Sequence, residues 1–383
     1  MESASPSRAL RIALDARYVR EKPSGIGAYV QALVERLPSL APSDHFFFWA
    51  HPLAPRPLSS AANTSATIVK AGPNSPWPVL WPQRHASFEA VDVFHGPHNM
   101  MPRGLPCASV ITVHDVMALE EPAIHLQGLE RVVKSVYYRQ AVWRALRKAT
   151  RLVAQSRATA DRICGLVPAA AKRLTVIWSA PDSDLRPPND PAKAQERAAR
   201  LTRGESPYLL LVGANTPSKR HDLALAAFAR AVPRPWRLVV VQRRKASAGL
   251  VRLAKELQVD HRVVWLETVA RQDLVTLLQA AGGLIQPSVY EGFGLPVLEA
   301  MACGCPVVAS DIAPLREVTA GTALLFTAGD VTALASALRD FVQSPGLRQS
   351  LGGQGLARSR DFSWDRCAQE TLEVYRDAAA TNR

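Results

Sequence analysis

Two glutamates, Glu291 and Glu299, lie eight residues apart in the segment SVYEGFGLPVLEAMACGCPVVAS. A carboxylate accepts two hydrogen bonds, which suits the neighbouring hydroxyl groups of a diol. Between them, Gly292 and Gly294 let the backbone approach a ligand closely, and the helix start that follows offers unpaired N–H groups to phosphate. A diol beside a diphosphate is typical of a nucleotide sugar, so the segment predicts a site for one. The alternative is a buried loop with one capping glutamate.

A particular set of elements must hold these residues in place. The pattern predicts four in succession: an apolar strand at 283–285, a loop over 286–296, a short helix over 297–302 and a second strand at 306–309. Ligands of parallel sheets bind beyond the carboxyl ends of the strands. We therefore expect Glu291 in the loop and Glu299 in the first turn of the helix, with both carboxylates facing one crevice.

The rest of the chain alternates strand and helix patterns in two series. The first series predicts strands at 10–16, 46–49, 67–69, 91–95, 110–113 and 152–154, with a helix at 28–37 after the first of them. The second predicts strands at 208–212, 238–241, 263–266 and 323–326, with a helix from Asp222. Such alternation predicts α/β domains with parallel sheets. We assign residues 1–182 and 208–364 to two domains, 183–207 to a linker rich in proline and charge, and 365–383 to a C-terminal helix.

The glutamate segment, read as YEGFGLPVLEAMACGCPVVAS, resembles the signature of the family-4 retaining glycosyltransferases. The resemblance extends over nearly the whole chain through SGIGAY near the start, VHD in the first half, VGANTPSKRHDLALAAF in the second half and DFSW near the end. It implies the GT-B architecture, in which two Rossmann-like parallel-sheet domains face each other across a cleft. It also implies that the last helix crosses back to the first domain.

The same resemblance implies the reaction. A hexose passes from a nucleoside diphosphate sugar to an acceptor hydroxyl with retention at the anomeric carbon, and an oxygen of the donor phosphate helps to remove the acceptor proton. Neither a metal ion nor a cofactor is required. Glu299 is then expected at the ribose diol and Glu291 at hydroxyls of the donor sugar. The backbone N–H groups of Phe293, Gly294 and Leu295 are expected to meet the sugar or its phosphate.

Lys219 follows the first strand of the second series and its closing Gly213, another donor-binding candidate. A lysine there can neutralise a departing diphosphate, and one such charge at 4 Å contributes ~4 kcal/mol at an effective dielectric constant near 20. The family usually has an arginine just before this lysine, and some members have another after the glycine. This chain has Ser218 and Ala214 there, so we expect Arg220 to compensate. A solvated lysine in a charged loop is the alternative.

Gly25 and Gly27 follow the first predicted strand and resemble the glycine loop of the family's first domain. A Gly-x-Gly sequence permits a tight turn that exposes N–H groups to the diphosphate or the acceptor. Such turns are also common without any ligand. Asp15, at the end of the preceding strand, is expected to help order the loop.

His114 ends an apolar strand in ITVHDVMALEEP, and the family places a histidine or an acid there, near the reacting carbon. Asp115 is expected to orient its imidazole. His95, His98 and Asn99 follow another strand and are assigned to the acceptor side. The alternative is that His114 merely caps a strand end. Two histidines in such a loop do not make a metal site without further ligands.

The net charge of +13 is concentrated in the middle of the chain. Residues 129–147 are predicted to form an amphipathic helix with Val132, Val136, Trp143 and Leu146 on one face. Its basic surroundings, 129–151, can contact an anionic membrane, and a helix packed on the core with a solvated basic face is the alternative. Nucleic acid is not an expected partner, because no aromatic RNA-reading motif or known DNA-binding motif accompanies the charge.

The remaining features predict a cytoplasmic protein, and they leave open an association with the inner face of a membrane. The five cysteines are odd in number and lack metal-site spacing, which favours reduced thiols. No basic-then-apolar leader precedes the first strand, and no apolar run approaches the ~20 residues that span a bilayer.

The donor and acceptor are left open by the sequence. GDP-mannose is the first expectation, because HGPHN and HD resemble mannosyl- and rhamnosyl-transferring members, and a UDP-sugar is the second. The expected acceptor is a glycan or a lipid-linked oligosaccharide. Two other classes are considered: a dinucleotide-dependent oxidoreductase, which needs a Gly-x-Gly-x-x-Gly turn that no segment supplies, and a non-catalytic basic protein that binds nucleotide sugar or membrane.

Overall fold

The computed structural model describes residues 8–20, 25–120, 129–204, 207–242, 247–267 and 269–381, and over 129–135 the backbone alone. The chain forms two compact units. Unit 1 comprises Met1–Ser179 and Trp364–Arg383, and unit 2 comprises Ala180–Ser363. Each unit is built on one sheet of parallel strands, which confirms the predicted pair of Rossmann-like domains.

Unit 1 has a seven-stranded sheet in the order β3-β2-β1-β4-β5-β6-β7. Its strands are β1 (Arg11–Leu14), β2 (His45–Ala50), β3 (Thr64–Ile68), β4 (Val93–Gly96), β5 (Ala108–Val113), β6 (Arg151–Ala154) and β7 (Leu174–Val176). Every pair of neighbours is parallel. The strand order reverses between β1 and β4, the point at which ligands bind in sheets of this kind. The sequence analysis did not predict β7, in which the polar Thr175 interrupts the apolar residues.

The helices of unit 1 cover this sheet. They are α1 (Gly25–Leu40), α2 (Pro76–Leu80), α3 (Met117–Glu120), α4 (Leu129–Lys148) and α5 (Arg157–Leu166), with short 3-10 turns at Pro82–Arg84 and Pro168–Arg173. The C-terminal helix α14 (Trp364–Thr381) also packs here, against α1 and β5. The carboxylates of Asp365 and Asp44 fix it through ion pairs with Arg36 and Arg376 respectively, at 2.8 and 2.6 Å.

Unit 2 has a six-stranded parallel sheet in the order β10-β9-β8-β11-β12-β13. Its strands are β8 (Tyr208–Val212), β9 (Arg237–Val241), β10 (Val263–Leu266), β11 (Gly283–Gln286), β12 (Val307–Ser310) and β13 (Leu324–Phe326). They are nearly continuous apolar runs because helices bury both faces of the sheet. The strand order reverses between β8 and β11, so the loops after these two strands, which carry Lys219 and Glu291, meet at one edge.

The helices of unit 2 follow the strands in regular alternation. They are α6 (Pro191–Thr202), α7 (His221–Ala231), α8 (Ala248–Glu256), α9 (Arg271–Ala280), α10 (Leu295–Ala302), α11 (Ala313–Thr319), α12 (Val331–Gln343) and α13 (Pro345–Ser359). Phe228 of α7 and Phe341 of α12 are fully buried in the core beside the sheet.

The prediction of a linker at 183–207 is corrected by the structure, which places helix α6 inside this range. Asp190 caps the helix by accepting hydrogen bonds from the N–H groups of Ala192 and Lys193, and proline at the first position suits a helix start. The helix packs on α9, where the side chain of Gln195 donates to the carbonyl of Ala280 at 3.1 Å. Proline and charge were read as linker signals, although here they belong to the cap and the exposed face of a packed helix.

Candidate active site

The loops after β8 and β11 bring two predicted site residues into direct contact. The Nζ atom of Lys219 lies 2.6 and 2.7 Å from the two carboxylate oxygens of Glu291. The Glu291 side chain is 8% exposed and that of Lys219 is 24% exposed, so the pair is nearly shielded from water. An ammonium group has three protons, and two of them are used here. One proton of Lys219 is therefore left for an anionic ligand.

Two further contacts hold the Lys219–Glu291 pair. The backbone N–H of Val289 donates to the carbonyl of Ser218 at 2.9 Å, which ties the two loops together. Gln286, the last residue of β11, donates through Nε2 to Glu291 at 2.6 Å and to the Ser288 hydroxyl at 2.8 Å. The sequence analysis missed Gln286. The signal was present, since Gln286 is the single polar residue that ends the apolar strand GLIQ.

Glu299 lies on α10, but one turn later than predicted. The helix begins at Leu295 rather than at residue 297, so Glu299 is its fifth residue and gains nothing from the first-turn N–H groups. Pro296 explains the difference, because proline is favoured at the start of a helix and was read as part of the loop. The Glu299 side chain is 15% exposed.

Arg271 holds Glu299 and connects it to two other acids that the sequence analysis did not single out. Its Nη1 atom lies 3.3 Å from Glu299 Oε1. Its other donors bind Asp184 at 2.8 and 2.9 Å and Asp182 at 3.0 Å. Burial raises the pKa of Glu299, and the charge of Arg271 opposes that rise. Glu299 Oε2 has no hydrogen-bond partner in the described part of the chain, so this oxygen remains available to a ligand.

The turn between Glu291 and α10 presents backbone groups. Gly294 is the residue before the helix and has a φ of +111°, which side-chain-bearing residues rarely adopt. A Cβ there would also lie 2.6 Å from a methyl group of Leu315. The backbone N–H groups of Phe293, Gly294 and Leu295 have no acceptor among the residues that the structure describes. The Phe293 ring packs edge-on against Phe362, and this contact orients the turn. Gly292, in the same turn, is half-buried.

Two other predicted donor residues lie near Lys219 in the chain. Gly213 ends β8 with a φ of +144°, and its N–H donates to the carbonyl of Val241. Arg220 adopts a left-handed conformation, and its guanidinium pairs with Asp222 at 3.1 Å. The charge of Arg220 is thus engaged locally, and its compensation for the missing arginine stays a prediction.

At the carboxyl edge of the unit 1 sheet, His114 is held in a defined tautomer. Its backbone N–H donates to Asn99 Oδ1 and its Nε2 lies 2.8 Å from the carbonyl oxygen of Pro97. A carbonyl only accepts, so Nε2 carries the proton. Burial lowers the pKa of His114, while the hydrogen bond to Pro97 opposes that shift, and the ring is neutral at pH 7. The predicted role of Asp115 is wrong: Asp115 Oδ1 accepts the N–H of Met117 and does not hydrogen-bond the imidazole.

His98 and Asn99 join His114 in one polar cluster. The amide of Asn99 donates to the hydroxyl of Tyr138 at 3.1 Å, and that hydroxyl has one proton to give to His98 Nε2 at 3.4 Å. Burial lowers the pKa of His98 to about 3, so its ring is neutral. The Nδ1 atom of His98 is buried and has no partner in the described structure, and the same holds for Gln155 Nε2. Two buried polar nitrogens are therefore left for a ligand.

The assignment of His95 to the acceptor side is corrected by the structure, because His95 lies in the core. Its side chain is fully buried on β4, with Nδ1 at 2.6 Å from the Tyr375 hydroxyl and Nε2 at 2.8 Å from the Thr112 hydroxyl. Burial lowers its pKa to about 3. Both nitrogens are used within unit 1, so His95 joins helix α14 to the sheet. The sequence could not distinguish it from His98, because both lie near the end of one strand.

The predicted glycine loop is also different in the structure. Gly25 and Gly27 lie in the first turn of α1 rather than before it, and Pro23 falls outside the described residues. Asp15 does not hydrogen-bond to α1, since its carboxylate binds the buried guanidinium of Arg17 at 2.5 and 2.7 Å. Arg17 in turn donates to the carbonyls of residues 71 and 72, so the pair orders that loop.

The second half of the basic helix α4 packs on the core through part of the predicted apolar face. Val142 and Leu146 are buried and Trp143 packs against the same cluster, whereas Val136 is 51% exposed. The side chain of Val132 is outside the described part. The alternative of a core-packed helix with a solvated basic edge thus holds for its second half.

Comparisons with known proteins agree with this architecture. The family model described as Glycosyl transferases group 1 matches residues 192–358, and the one described as Glycosyltransferase Family 4 matches residues 23–185. The two matches cover β2 to β7 of the first sheet and β8 to β13 of the second.

Individual proteins show the same likeness. O-antigen chain mannosyltransferase B from Escherichia coli is 29% identical over 289 residues, which cover 74% of this chain and 74% of that protein. D-inositol 3-phosphate glycosyltransferase from Kribbella flavida is 32% identical over 274 residues, which cover 68% of this chain but 61% of that protein, less than two thirds of its length. The solved sucrose-phosphate synthase from Thermosynechococcus elongatus superposes with a TM-score of 0.76 over 97% of this chain and 100% of that one at 22% identity, which shows a shared fold.

Proposed function

Because the chain belongs to the family-4 glycosyltransferases, whose models match both of its halves, we propose that it transfers a hexose from a nucleoside diphosphate sugar to a hydroxyl of a glycan or lipid-linked oligosaccharide. The observation that carries the proposal is the arrangement at the β8–β11 edge. There a shielded Lys219–Glu291 pair, one open oxygen of Glu299 and three unpaired backbone N–H groups belong to neighbouring loops. Together they offer a cation and N–H donors for diphosphate and carboxylate acceptors for hydroxyls.

Each residue then has a part in donor binding. The remaining proton of Lys219 and the N–H groups of Phe293 to Leu295 hold the diphosphate and stabilise the charge that develops on it as the sugar leaves. Glu291 keeps lone pairs for donor-sugar hydroxyls, and the open oxygen of Glu299 accepts from the ribose. Because Gln286 and Lys219 fix Glu291 beforehand, little side-chain freedom is lost on binding.

Unit 1 supplies the acceptor-side groups. His98 Nδ1 and Gln155 Nε2 are buried polar atoms without partners in the described structure, and the neutral His114 is fixed by Pro97. Such a set suits the hydroxyl groups of a sugar, which both donate and accept. A buried polar group without a partner costs about 1–3 kcal/mol, and an acceptor hydroxyl would remove that cost.

The reaction proposed is transfer with retention and without a metal ion. The acceptor oxygen forms a bond to the anomeric carbon as the bond from that carbon to the phosphate oxygen breaks, and the acceptor proton passes to the departing diphosphate. GDP-mannose is the first donor to test and a UDP-sugar the second. The mannosyl choice is supported by the HGPHN segment and by the similarity to a protein named as an O-antigen mannosyltransferase.

The test is a panel of nucleotide sugars incubated with the purified chain and candidate acceptors, with nucleotide release and product formation measured together. We expect turnover with one nucleotide sugar, unchanged by EDTA, and a product of the same anomeric configuration as the donor by NMR coupling constants. Binding of the nucleotide sugar without any turnover, across a broad acceptor panel, would instead favour a non-catalytic binding protein. A product of inverted anomeric configuration would reject the retaining mechanism but not the proposed transferase activity.

A further inference from the structure

Helix α2 and the residue that follows it expose two tryptophans on the surface of unit 1. The side chains of Trp77 and Trp81 are 56% and 44% exposed, and their rings stack with centroids 5.5 Å apart and an interplanar angle of 19°. The guanidinium of Arg84 lies 5.7 Å from the Trp81 ring centroid. Aromatic rings this large normally bury most of their area, so a stacked and exposed pair indicates a surface that meets a partner.

The rest of α2 fixes the tryptophans in that outward position. Val79, between them, is buried and packs with Met100 and Ala141 of helix α4. The carbonyl of Val79 accepts the backbone N–H of Arg103 at 2.8 Å. Because one side of this short helix is anchored to the core, the tryptophans four residues apart share the opposite side.

The same surface carries cations without acidic partners. Arg84, Arg103 and Arg144 form no ion pair with any acid that the structure describes. Arg144 lies near Arg103 in space, because its Nη1 atom donates at 3.0 Å to the carbonyl of Met101, two residues before Arg103. Burial, and then the charge of Arg103, lower the pKa of Arg144. Residues 73–88, PNSPWPVLWPQRHASF, contain no acid at all.

We propose that this aromatic-basic face, formed by Trp77, Trp81, Arg84, Arg103 and Arg144, docks the protein on an anionic membrane surface. Tryptophan is favoured at the level of lipid headgroups, because its ring is apolar and its N–H is polar. Each arginine without an acidic partner adds to the attraction to an anionic surface, and the aromatic and basic signals together give the stable but reversible binding that one alone does not.

A lipid surface fits these residues better than a sugar chain does. A neutral sugar stacks on an open ring face, whereas these rings stack on each other and one of them also faces Arg84. A neutral sugar would also leave three arginines unpaired. The face differs from the membrane contact predicted for 129–151, because the second half of α4 gives its apolar side to the core and only its flank, through Arg144, takes part. No described helix is both long and apolar enough to cross a bilayer.

The docking face lies next to the acceptor-side cluster of the same unit. The Tyr18 hydroxyl lies 2.8 Å from Asn74, two residues before α2, and the Tyr18 ring stacks on His98 at 5.3 Å. A lipid-linked acceptor held in the membrane would thus reach His98 from the docked surface. Docking itself does not depend on the transfer reaction and can be measured without any nucleotide sugar.

The test is co-sedimentation of the full chain with vesicles of phosphatidylcholine alone and of phosphatidylcholine mixed with phosphatidylglycerol. We expect binding to the mixed vesicles, weakened by high salt, with a blue shift of tryptophan emission. The variants Trp77→Ser/Trp81→Ser and Arg84→Gln/Arg103→Gln/Arg144→Gln should each lower the partition coefficient at least about tenfold. The matched control Arg200→Gln/Arg252→Gln/Arg366→Gln removes the same charge from exposed helical ion pairs and should bind like the parent.

Two results would overturn the proposal. One is a lack of binding to anionic vesicles, or a control variant that loses as much vesicle binding as the arginine variant does. The latter result would mean that net charge alone explains the binding. The other is a tryptophan variant with unchanged vesicle binding but a raised KM for a water-soluble glycan acceptor, which would assign the face to sugar. Thermal unfolding of each variant shows that the fold is intact, and since the replaced side chains are exposed or flank the surface we expect shifts of only a few degrees.

Discussion

Lys219 and Glu291 form a closed ion pair, with Nζ at 2.6 and 2.7 Å from the two carboxylate oxygens, although 72 residues separate them in the chain. The pair exists because β8 and β11 are neighbours at the point where the strand order of the unit 2 sheet reverses. In the absence of a ligand, each charge satisfies the other. A diphosphate would share Lys219 with Glu291 rather than meet a free cation, which moderates donor affinity.

The first prediction concerns the stability of this pair. Lys219→Met leaves Glu291 buried without its cation, and we expect a loss of roughly 3 kcal/mol in the free energy of unfolding. The double variant Lys219→Met/Glu291→Gln removes the stranded charge and should recover much of that loss. Urea unfolding of both variants measures the difference. A double variant as unstable as the single one would show that packing of the lysine stem, not charge, dominates.

The second prediction concerns turnover and donor binding. Glu291→Ala should abolish transfer, and Lys219→Met should lower kcat by about a hundredfold or more, because the cation is needed as charge develops on the diphosphate. Glu299→Ala should instead weaken nucleotide binding by about tenfold or more, the effect of losing a hydrogen bond to a charged group. Calorimetric titration with the nucleotide separates the two effects. Unchanged turnover in both glutamate variants would reject the site.

The third prediction concerns Arg271 as a positioning residue for Glu299. Burial already raises the pKa of Glu299 and Arg271 opposes that rise, so Arg271→Gln should raise this pKa further. If nucleotide binding needs the ionised carboxylate, the variant should lose nucleotide affinity on acidification at a higher pH than the parent does. Titrations of nucleotide binding over the weakly acidic range measure the midpoint. The control is Arg316→Gln, which breaks an exposed ion pair with Asp311 in the same unit and should leave the midpoint in place.

The Rossmann-like alternation and most strands could be predicted from the sequence, since buried parallel strands are short apolar runs between turn residues. Tyr208–Val212 and Val263–Leu266 were predicted to the residue. Helix starts were harder. Gly25 and Pro296 were read as loop residues, yet each belongs to the first turn of its helix, where unpaired N–H groups make glycine and proline tolerable.

The partners of the candidate site residues could not be predicted. Which groups meet Glu291, Glu299 or His114 depends on loops that are distant in the chain, and spacing alone carries no information on them. Neighbours in the sequence misled in two places, because Asp115 does not hydrogen-bond the His114 ring and Asp15 does not hydrogen-bond to α1. In both cases the short carboxylate satisfies a nearer donor first.

The fourth prediction concerns the acceptor side. Because burial lowers the pKa of His114, transfer that needs its neutral form should stay constant from neutral to mildly alkaline pH and fall only on acidification below the ordinary value of 6.5. His98→Asn keeps a polar group but moves it, so it should raise the KM for the acceptor more than it lowers kcat. Steady-state kinetics with the acceptor varied measure both. A raised KM for the donor alone would place His98 elsewhere.

The last prediction follows from His95, which joins the sheet to the C-terminal helix through Tyr375. Its pKa falls from an ordinary 6.5 to about 3 in the folded chain. The unfolded chain therefore binds a proton that the folded chain does not, so the stabilisation is complete above 6.5 and is lost as the pH falls toward 3. The expected slope is roughly 1 kcal/mol per pH unit from this residue, and His98 adds a change of the same sign. Urea unfolding of unit 1 at a series of acidic pH values should show a shallower slope for His95→Gln than for the parent. The matched control is His85→Gln, at a half-buried position, which should keep the parental slope. An unchanged slope in His95→Gln would mean that protonation of this core histidine does not cause the loss of stability in acid.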